Sequence, residues 1–198
     1  MARLLFQGHG SFRVVTNSNI VIYLDPYAGG GYDIPADIIL VTHQHSDHNR
    51  VEMVPRKPGC VVYQNTSALR AGVYKKTVIN GIPVEAVEAY NGNHDREECV
   101  GYVISVDGKT LYFAGDTSRT KQMEELAKRN LDYCFLPCDG IYNMDVDGAI
   151  DCANLLGAAH AVPVHMVPGR LFDRAIADEF AAGVKNALIL EAGKEIGL

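Results

Sequence analysis

The stretch ILVTHQHSDHNR, residues 39–50, runs from an apolar, β-branched segment straight into His43, His45, Asp47 and His48. The apolar part starts at Ala36, just after Pro35, and is continuous, the pattern of a strand buried on both faces. Side chains two apart on an extended chain point the same way, so His43 and His45 aim at one point. Asp47 and His48 break that alternation. If the chain turns into a helix there, both swing to a neighbouring point, and one segment serves two adjacent metal ions. Imidazole nitrogen suits zinc, iron, nickel or manganese, and a carboxylate adds a harder donor. A polar surface turn would not need four such groups within six positions.

Outward from this stretch, the first half of the chain reads as strands broken by turns. RLLF, SFRVVT and NIVIYLD precede it, and CVVYQ, KKTVI and IPVEAVEAY follow, with a short helix expected at TSALRAG. VGYVISVDGKTLYFAGD is a strand, a DGK turn and a second strand. The second half alternates. Helical stripes are expected over residues 119–130, 145–156 and 172–182, and strands at DYCFLP, AHAVPVH and NALILE. With no linker or low-complexity segment, residues 1–198 read as one domain, two sheets with helices outside.

Bulk composition narrows the function. Of 198 residues, 47% are hydrophobic and 21% charged, which fits a globular protein and not a disordered chain. The net charge of −6 carries no basic block, which argues against a long nucleic acid or an anionic membrane surface as partner. The N-terminal MARLLFQGHGS has too short an apolar run for a signal peptide, and nothing reaches membrane-spanning length. Five scattered cysteines, Cys60, Cys99, Cys134, Cys138 and Cys152, read as reduced thiols in a cytoplasm.

HQHSDH matches the H-x-H-x-D-H signature, and the chain resembles the metallo-β-lactamase superfamily. The remaining ligands of that family can be sought in order. AVEAYNGNHD offers His94, LYFAGDTS offers Asp116, and AVPVHM offers His165. The resemblance implies a four-layer αββα sandwich with a two-metal site on one edge. It implies His43, His45 and His94 on one ion, Asp47, His48 and His165 on the other, and Asp116 bridging. GHGSF, LDPY and AGDT resemble the small metal-dependent hydrolases related to ascorbate-phosphate lactonase. Departures from relatives are informative too. Diiron flavoproteins have a carboxylate in place of His45, and the commonest β-lactamases have a cysteine in place of Asp116. Large inserted domains, usual in the superfamily's nucleases, have no room here.

The expected function is a binuclear hydrolase. Two divalent transition-metal ions, zinc first and manganese or iron next, would deliver a bridging hydroxide to a lactone or phosphodiester of a small anionic substrate. Asp47 and Asp116 are the carboxylates expected to serve the reaction. A metal-bound sensor without turnover is the alternative, since fold does not imply function. A mononuclear iron dioxygenase would use only His43, His45 and His94, leaving Asp47, His48 and His165 unexplained. Around the ligands, Asp25 is expected to hold a ligating imidazole, and the competing reading is a turn former before Pro26. His9 is expected at the substrate or the metal shell, against a structural role. Arg119 and Arg170 are candidates to clamp an anion, and Arg50 lies similarly close, against solvated surface arginines. Tyr142 is a candidate hydrogen-bond donor to substrate. His160 reads as structural. A homo-oligomer is compatible with all of this.

Overall fold

The apolar run before the histidines is strand β4 (Ala36–Val41) in the computed structural model, which describes residues 1–198. Every side chain of it is buried except that of Asp37, whose carboxylate accepts the Val21 N–H and the Lys57 ammonium. β4 lies between β3 (Val21–Leu24) and β5 (Arg56–Gln64), parallel to both. β1 (Arg3–Gly8) and β2 (Ser11–Val15) extend this sheet antiparallel beyond β3. The second sheet has a matching plan. β8 (Lys76–Ile79), β9 (Ile82–Glu88), β10 (Val100–Val106) and β11 (Lys109–Phe113) run antiparallel, then β12 (Tyr133–Pro137) and β13 (His160–Val164) run parallel. The DGK turn joins β10 to β11 with both Asp107 and Gly108 at positive φ, as a two-residue hairpin requires.

Between the sheets lies one apolar layer made of alternate residues from both, including Phe6, Phe12, Ile22 and Leu40 from the first and Tyr102, Phe113, Phe135 and Val162 from the second. Phe12, Phe113 and Phe135 pack ring on ring, with centroids 4.4–5.1 Å apart. The outer face of the second sheet is covered by α2 (Met123–Leu126), α3 (Val146–Leu156) and α4 (Arg174–Gly183). Asp145 caps α3 by accepting the Gly148 N–H, and Asp173 caps α4 by accepting from Ala175 and Ile176. The outer layer over the first sheet is thinner. Residues 26–35 and a 3₁₀ turn at Val51–Met53 cover Tyr23, Ile39 and Val41 there. The arrangement is the expected αββα sandwich, with one outer layer built mostly of loop.

Several local expectations change. Residues 119–130 hold only the one turn of α2 and a 3₁₀ turn at Ala127–Arg129, which ends at Asn130 in the left-handed region. NALILE is not a strand. Its only ladder contact is a single bridge from Ala187 to Ala161, and the last strand is β14 (Glu195–Gly197), paired with β1. The short helix falls earlier than expected, at α1 (Asn65–Ala68). It is followed by a two-residue hairpin of β6 (Leu69–Arg70) and β7 (Val73–Tyr74). After His45 the chain makes a tight turn, with the His48 N–H donating to the His45 carbonyl, and not a helix. No helix is long and apolar enough to cross a membrane. All five cysteines are free thiols.

Candidate metal centre

The residues singled out in the sequence come from loops that follow strand ends and meet along one edge of the sandwich. Asp25 follows β3, His43 to His48 follow β4, His94 follows β9, Asp116 follows β11 and His165 follows β13. His9 sits in the turn between β1 and β2. Gly115 lets Asp116 approach. It has φ +65, and a Cβ there would lie 2.9 Å from the Val100 carbonyl and 3.1 Å from Thr42. His9, Asp25 and His165 also have positive φ, at 58°, 42° and 44°. Non-glycine residues hold that conformation only where the surroundings impose it.

Two donor groups form, His43, His45 and His94 in one and His9, Asp47, His48 and His165 in the other, and a third, His43, His48 and Asp116, joins them, each with its donor atoms within 4.8 Å of one another. Asp116 lies between them. Its Oδ1 is 3.3 Å from His48 Nε2, and its Oδ2 is 3.3 Å from both His94 Nε2 and His165 Nε2. Bonds of about 2.0–2.1 Å to a tetrahedral zinc would put donor atoms about 3.4 Å apart, so these separations suit a shared cation. The imidazole nitrogens agree. His43 Nε2, His48 Nε2 and His165 Nε2 are buried without a hydrogen-bond partner. A buried polar atom left unpaired costs about 1–3 kcal/mol, a cost that a bound cation would remove.

Each of these rings is held from behind through Nδ1. His48 Nδ1 lies 2.9 Å from Asp25 Oδ2, His43 Nδ1 3.0 Å from Thr42 Oγ1, and His94 Nδ1 3.0 Å from Asn91 Oδ1. His165 Nδ1 lies 2.8 Å from Asp139 Oδ2, an ion-pair contact that falls outside hydrogen-bond alignment. A partner at Nδ1 fixes the tautomer that leaves Nε2 free as a ligand. Asp25 is thus more than a turn former. Its Oδ1 also accepts the Thr42 N–H at 2.8 Å and its Oδ2 the Thr42 hydroxyl at 2.7 Å. His45 has no such anchor and is exposed.

Electrostatics divide the rings. Burial pushes His43 down to about 2, with His48 adding to the effect, and burial lowers His94 too. Burial also opposes charge on His165, but Asp116, Asp139 and Asp47 outweigh it and lift the ring to about 10. His48 is raised in the same way by Asp116 and Asp25 against its burial. Burial would raise Asp116, yet the surrounding imidazoles hold it down to about 2. Asp47 is held well below the usual carboxylate range, burial again being overcome by His165 and His9. Without a metal, the carboxylates keep protons on His165 and His48. Those protons occupy places that metal charge would take over.

A cleft of about 520 Å³ opens onto the centre, lined by Tyr27, His45, Ser46, Asp47, Asn93, His94, Asp116, Tyr142 and His165. Tyr142 reaches it as expected. Arg119 and Arg170 do not. The Arg119 guanidinium lies 3.6 Å from Glu124 of α2, and that of Arg170 is 3.0 Å from Asp173 at the start of α4, so local carboxylates draw both away. Arg50 lies over the Tyr27 ring, 5.6 Å from its centroid. His160 is exposed at the start of β13, outside the centre. Four contributors went unread in the sequence, namely Thr42, Asn91, Asp139 and Tyr27. Asp139 had a signal, since it follows an apolar strand as Asp25 does.

Comparison with known proteins agrees with this geometry. The model of the beta-lactamase superfamily domain matches residues 3–165. A metal-dependent hydrolase of Thermococcus onnurineus is 30% identical, over 83% of this chain and 84% of that protein. One from Bacillus licheniformis is 29% identical over 98% of each. Among solved structures, the metallo hydrolase Igni18 of Ignicoccus hospitalis superposes with a TM-score of 0.77 at 19% identity, covering 98% of this chain and 97% of that one. Its fold, its relatives and its cluster of histidines and aspartates together place the chain in the metallo-β-lactamase superfamily, among the metal-dependent hydrolases.

Proposed function

We propose that this hydrolase works with two divalent transition-metal ions, zinc first and manganese or iron next, on an ester-like bond of a small anionic substrate. The observation that carries the reading is the position of Asp116, whose two oxygens are within 3.3 Å of imidazoles from both donor groups. That placement lets one carboxylate serve both ions. Two such ions, when bound, supply Lewis acidity and a water acidic enough to give hydroxide near neutral pH.

The chain's own groups supply the rest. His43, His45 and His94 would hold one ion, Asp47, His48 and His165 the other, and Asp116 both. Asp25, Thr42, Asn91 and Asp139 keep the rings aimed, so little reorganisation is needed at the moment of reaction. The buried side of the centre, floored by Phe12, Phe113 and Phe135, keeps bulk water from behind it. Tyr27 and Tyr142 flank the open side, where a phenol can donate to a substrate oxygen. The cleft volume suits a small molecule. No lysine or arginine lines it, so negative charge on the substrate would be met at the centre itself. Lactones, by resemblance to the ascorbate-phosphate lactonase branch, and phosphodiesters are the two classes to try first.

The test is turnover of chromogenic lactones and phosphodiesters by protein stripped of metal and reloaded with zinc or manganese. Activity that needs metal and is lost in Asp116→Ala supports the reading. Metal uptake with no turnover of either class would favour a metal-bound binding protein.

A further inference from the structure

The resemblance gives the second ion three side chains, Asp47, His48 and His165. The structure brings a fourth to the same point. The His9 ring is fully shielded from solvent. Its Nδ1 lies 3.1 Å from the Arg170 carbonyl oxygen, and its Nε2 lies 3.2 Å from Asp47 Oδ2. A carbonyl can only accept, so in the neutral ring Nδ1 carries the proton and Nε2 presents a lone pair. That lone pair faces a carboxylate oxygen, which also only accepts. Two acceptors this close need either a second proton on the ring or a metal ion between them, and the grouping of His9 with Asp47, His48 and His165 offers a place for the ion.

The backbone is built to keep them there. The ladder between β1 and β2 shifts register between Phe6 and Gly8, which turns the chain end toward the centre. The His9 N–H donates to the Leu171 carbonyl at 2.7 Å, and the His9 carbonyl accepts the His165 N–H at 2.9 Å. A Cβ on Gly8 would sit 2.7 Å from that of Leu171, so no other residue fits this approach. His9 and His165, both at positive φ, thus clasp one sheet to the other, with ring centroids 3.7 Å apart. The spacing around Asp47 Oδ2 is 3.2 Å to His9, 3.6 Å to His165 and 4.0 Å to His48, which brackets the donor separation of about 3.4 Å in a tetrahedral zinc site.

We propose that His9 Nε2 is a direct ligand of the ion held by Asp47, His48 and His165. This rests on the two-metal reading above. It makes the two positions unequal. Counting Asp116 on both, the His9 side has five side chains, while the His43, His45 and His94 side has four, one of them, His45, exposed at the cleft. Closed shells suit retention of an ion, and open ones suit exchange with substrate.

The decisive measurement follows the histidine ring nitrogens of ¹⁵N-histidine-labelled wild-type protein by NMR as zinc is added. His9 Nε2 is expected to shift to a metal-bound position together with His48 and His165 Nε2. If those two shift and His9 Nε2 does not, the proposal is wrong while the two-metal reading stands. If no ring nitrogen shifts, both fall. His9→Gln gives an independent readout, since its amide still bonds to Asp47 but binds zinc poorly. Chelator competition should find one of the two zinc affinities lowered by about 10–100-fold or more and the other unchanged. Two affinities equal to those of wild type would overturn the assignment. Should the variant not fold, the wild-type spectrum decides alone.

Discussion

Asp25→Asn removes one charge from behind His48 and nearly nothing else. The side-chain volume is kept, and asparagine tolerates the φ of 42° at this position. Asp25 accepts three hydrogen bonds, from the Thr42 N–H, the Thr42 hydroxyl and His48 Nδ1. An amide has one oxygen to offer. If that oxygen stays on the Thr42 N–H, the NH₂ group faces His48 Nδ1. Nδ1 must then accept, and the ring proton moves to Nε2, the atom that should bind metal. The expected loss is about 10–100-fold in affinity for one ion, or about 1.4–2.7 kcal/mol. Metal-free protein should also melt lower, since a hydrogen bond to a charged group contributes about 1.5–3 kcal/mol and each kcal/mol moves Tm by about 2–4 °C at this size. Chelator competition with zinc and a thermal melt of the stripped protein read the two effects separately. If zinc affinity is that of wild type while only Tm falls, Asp25 does no more than shape the turn before Pro26.

Asp116→Ala should cost at least roughly a thousandfold in kcat on any substrate found, because losing a positioned hydroxide removes several kcal/mol at 1.36 kcal/mol per tenfold. Its circular dichroism should match wild type, and wild-type turnover would sink the two-metal mechanism. His45→Ala should remove mainly one ion and His165→Ala mainly the other, read by elemental analysis, whereas equal loss of both ions would mean a different partition. The pH dependence has a definite sign. His165 is raised from 6.5 to about 10, so its protonated form stabilises metal-free protein fully below about pH 6.5, and that contribution fades as pH rises through 10. Asp116 is lowered from 3.8 to about 2, so its contribution is present above 3.8 and lost as pH falls through 2. Zinc must therefore expel protons at neutral pH, and its affinity should climb as pH rises toward 10. Calorimetry in buffers of different ionisation enthalpy measures the release, and identical heats in all buffers would contradict it.

Much of the centre was legible in the chain because the decisive groups are dense and local. His43 to His48 sit within six positions after a strand whose apolar run leaves no other reading. His94, Asp116 and His165 were picked out by the resemblance, each on a loop that follows a strand. What went unread depends on contacts between distant loops. Asn91 and Asp139 look like ordinary turn residues until folding sets them behind His94 and His165. Arg119 and Arg170 failed for the opposite reason. Closeness in sequence does not set where a long side chain points, and Glu124 and Asp173 compete for them locally. NALILE carries the composition of a strand, but Pro163, two residues past the bridged Ala161, has no N–H to continue the ladder, so β13 keeps only the one bridge from Ala187. The helix expected at 119–130 starts late, at Met123, and passes into a 3₁₀ turn before Asn130 turns left-handed.

The two walls of the cleft differ in how freely they could diverge over generations. On one side, Asp139 accepts the N–H groups of Ile141, Tyr142 and Asn143 and also holds His165. Asn91 holds His94 and donates to the Tyr142 carbonyl of that same loop. An insertion between 139 and 143 would disturb imidazoles of both donor groups at once, so selection should keep its length. On the other side, Tyr27 borders the cleft from a segment with three consecutive glycines that hydrogen-bonds no ring of either group and touches one, His9, through Tyr27 alone, with ring centroids 5.1 Å apart. Beyond Tyr27, that wall can lengthen or shorten without touching the metals. New substrates should therefore be acquired through residues 26–35 first, with the chemistry inherited unchanged behind them.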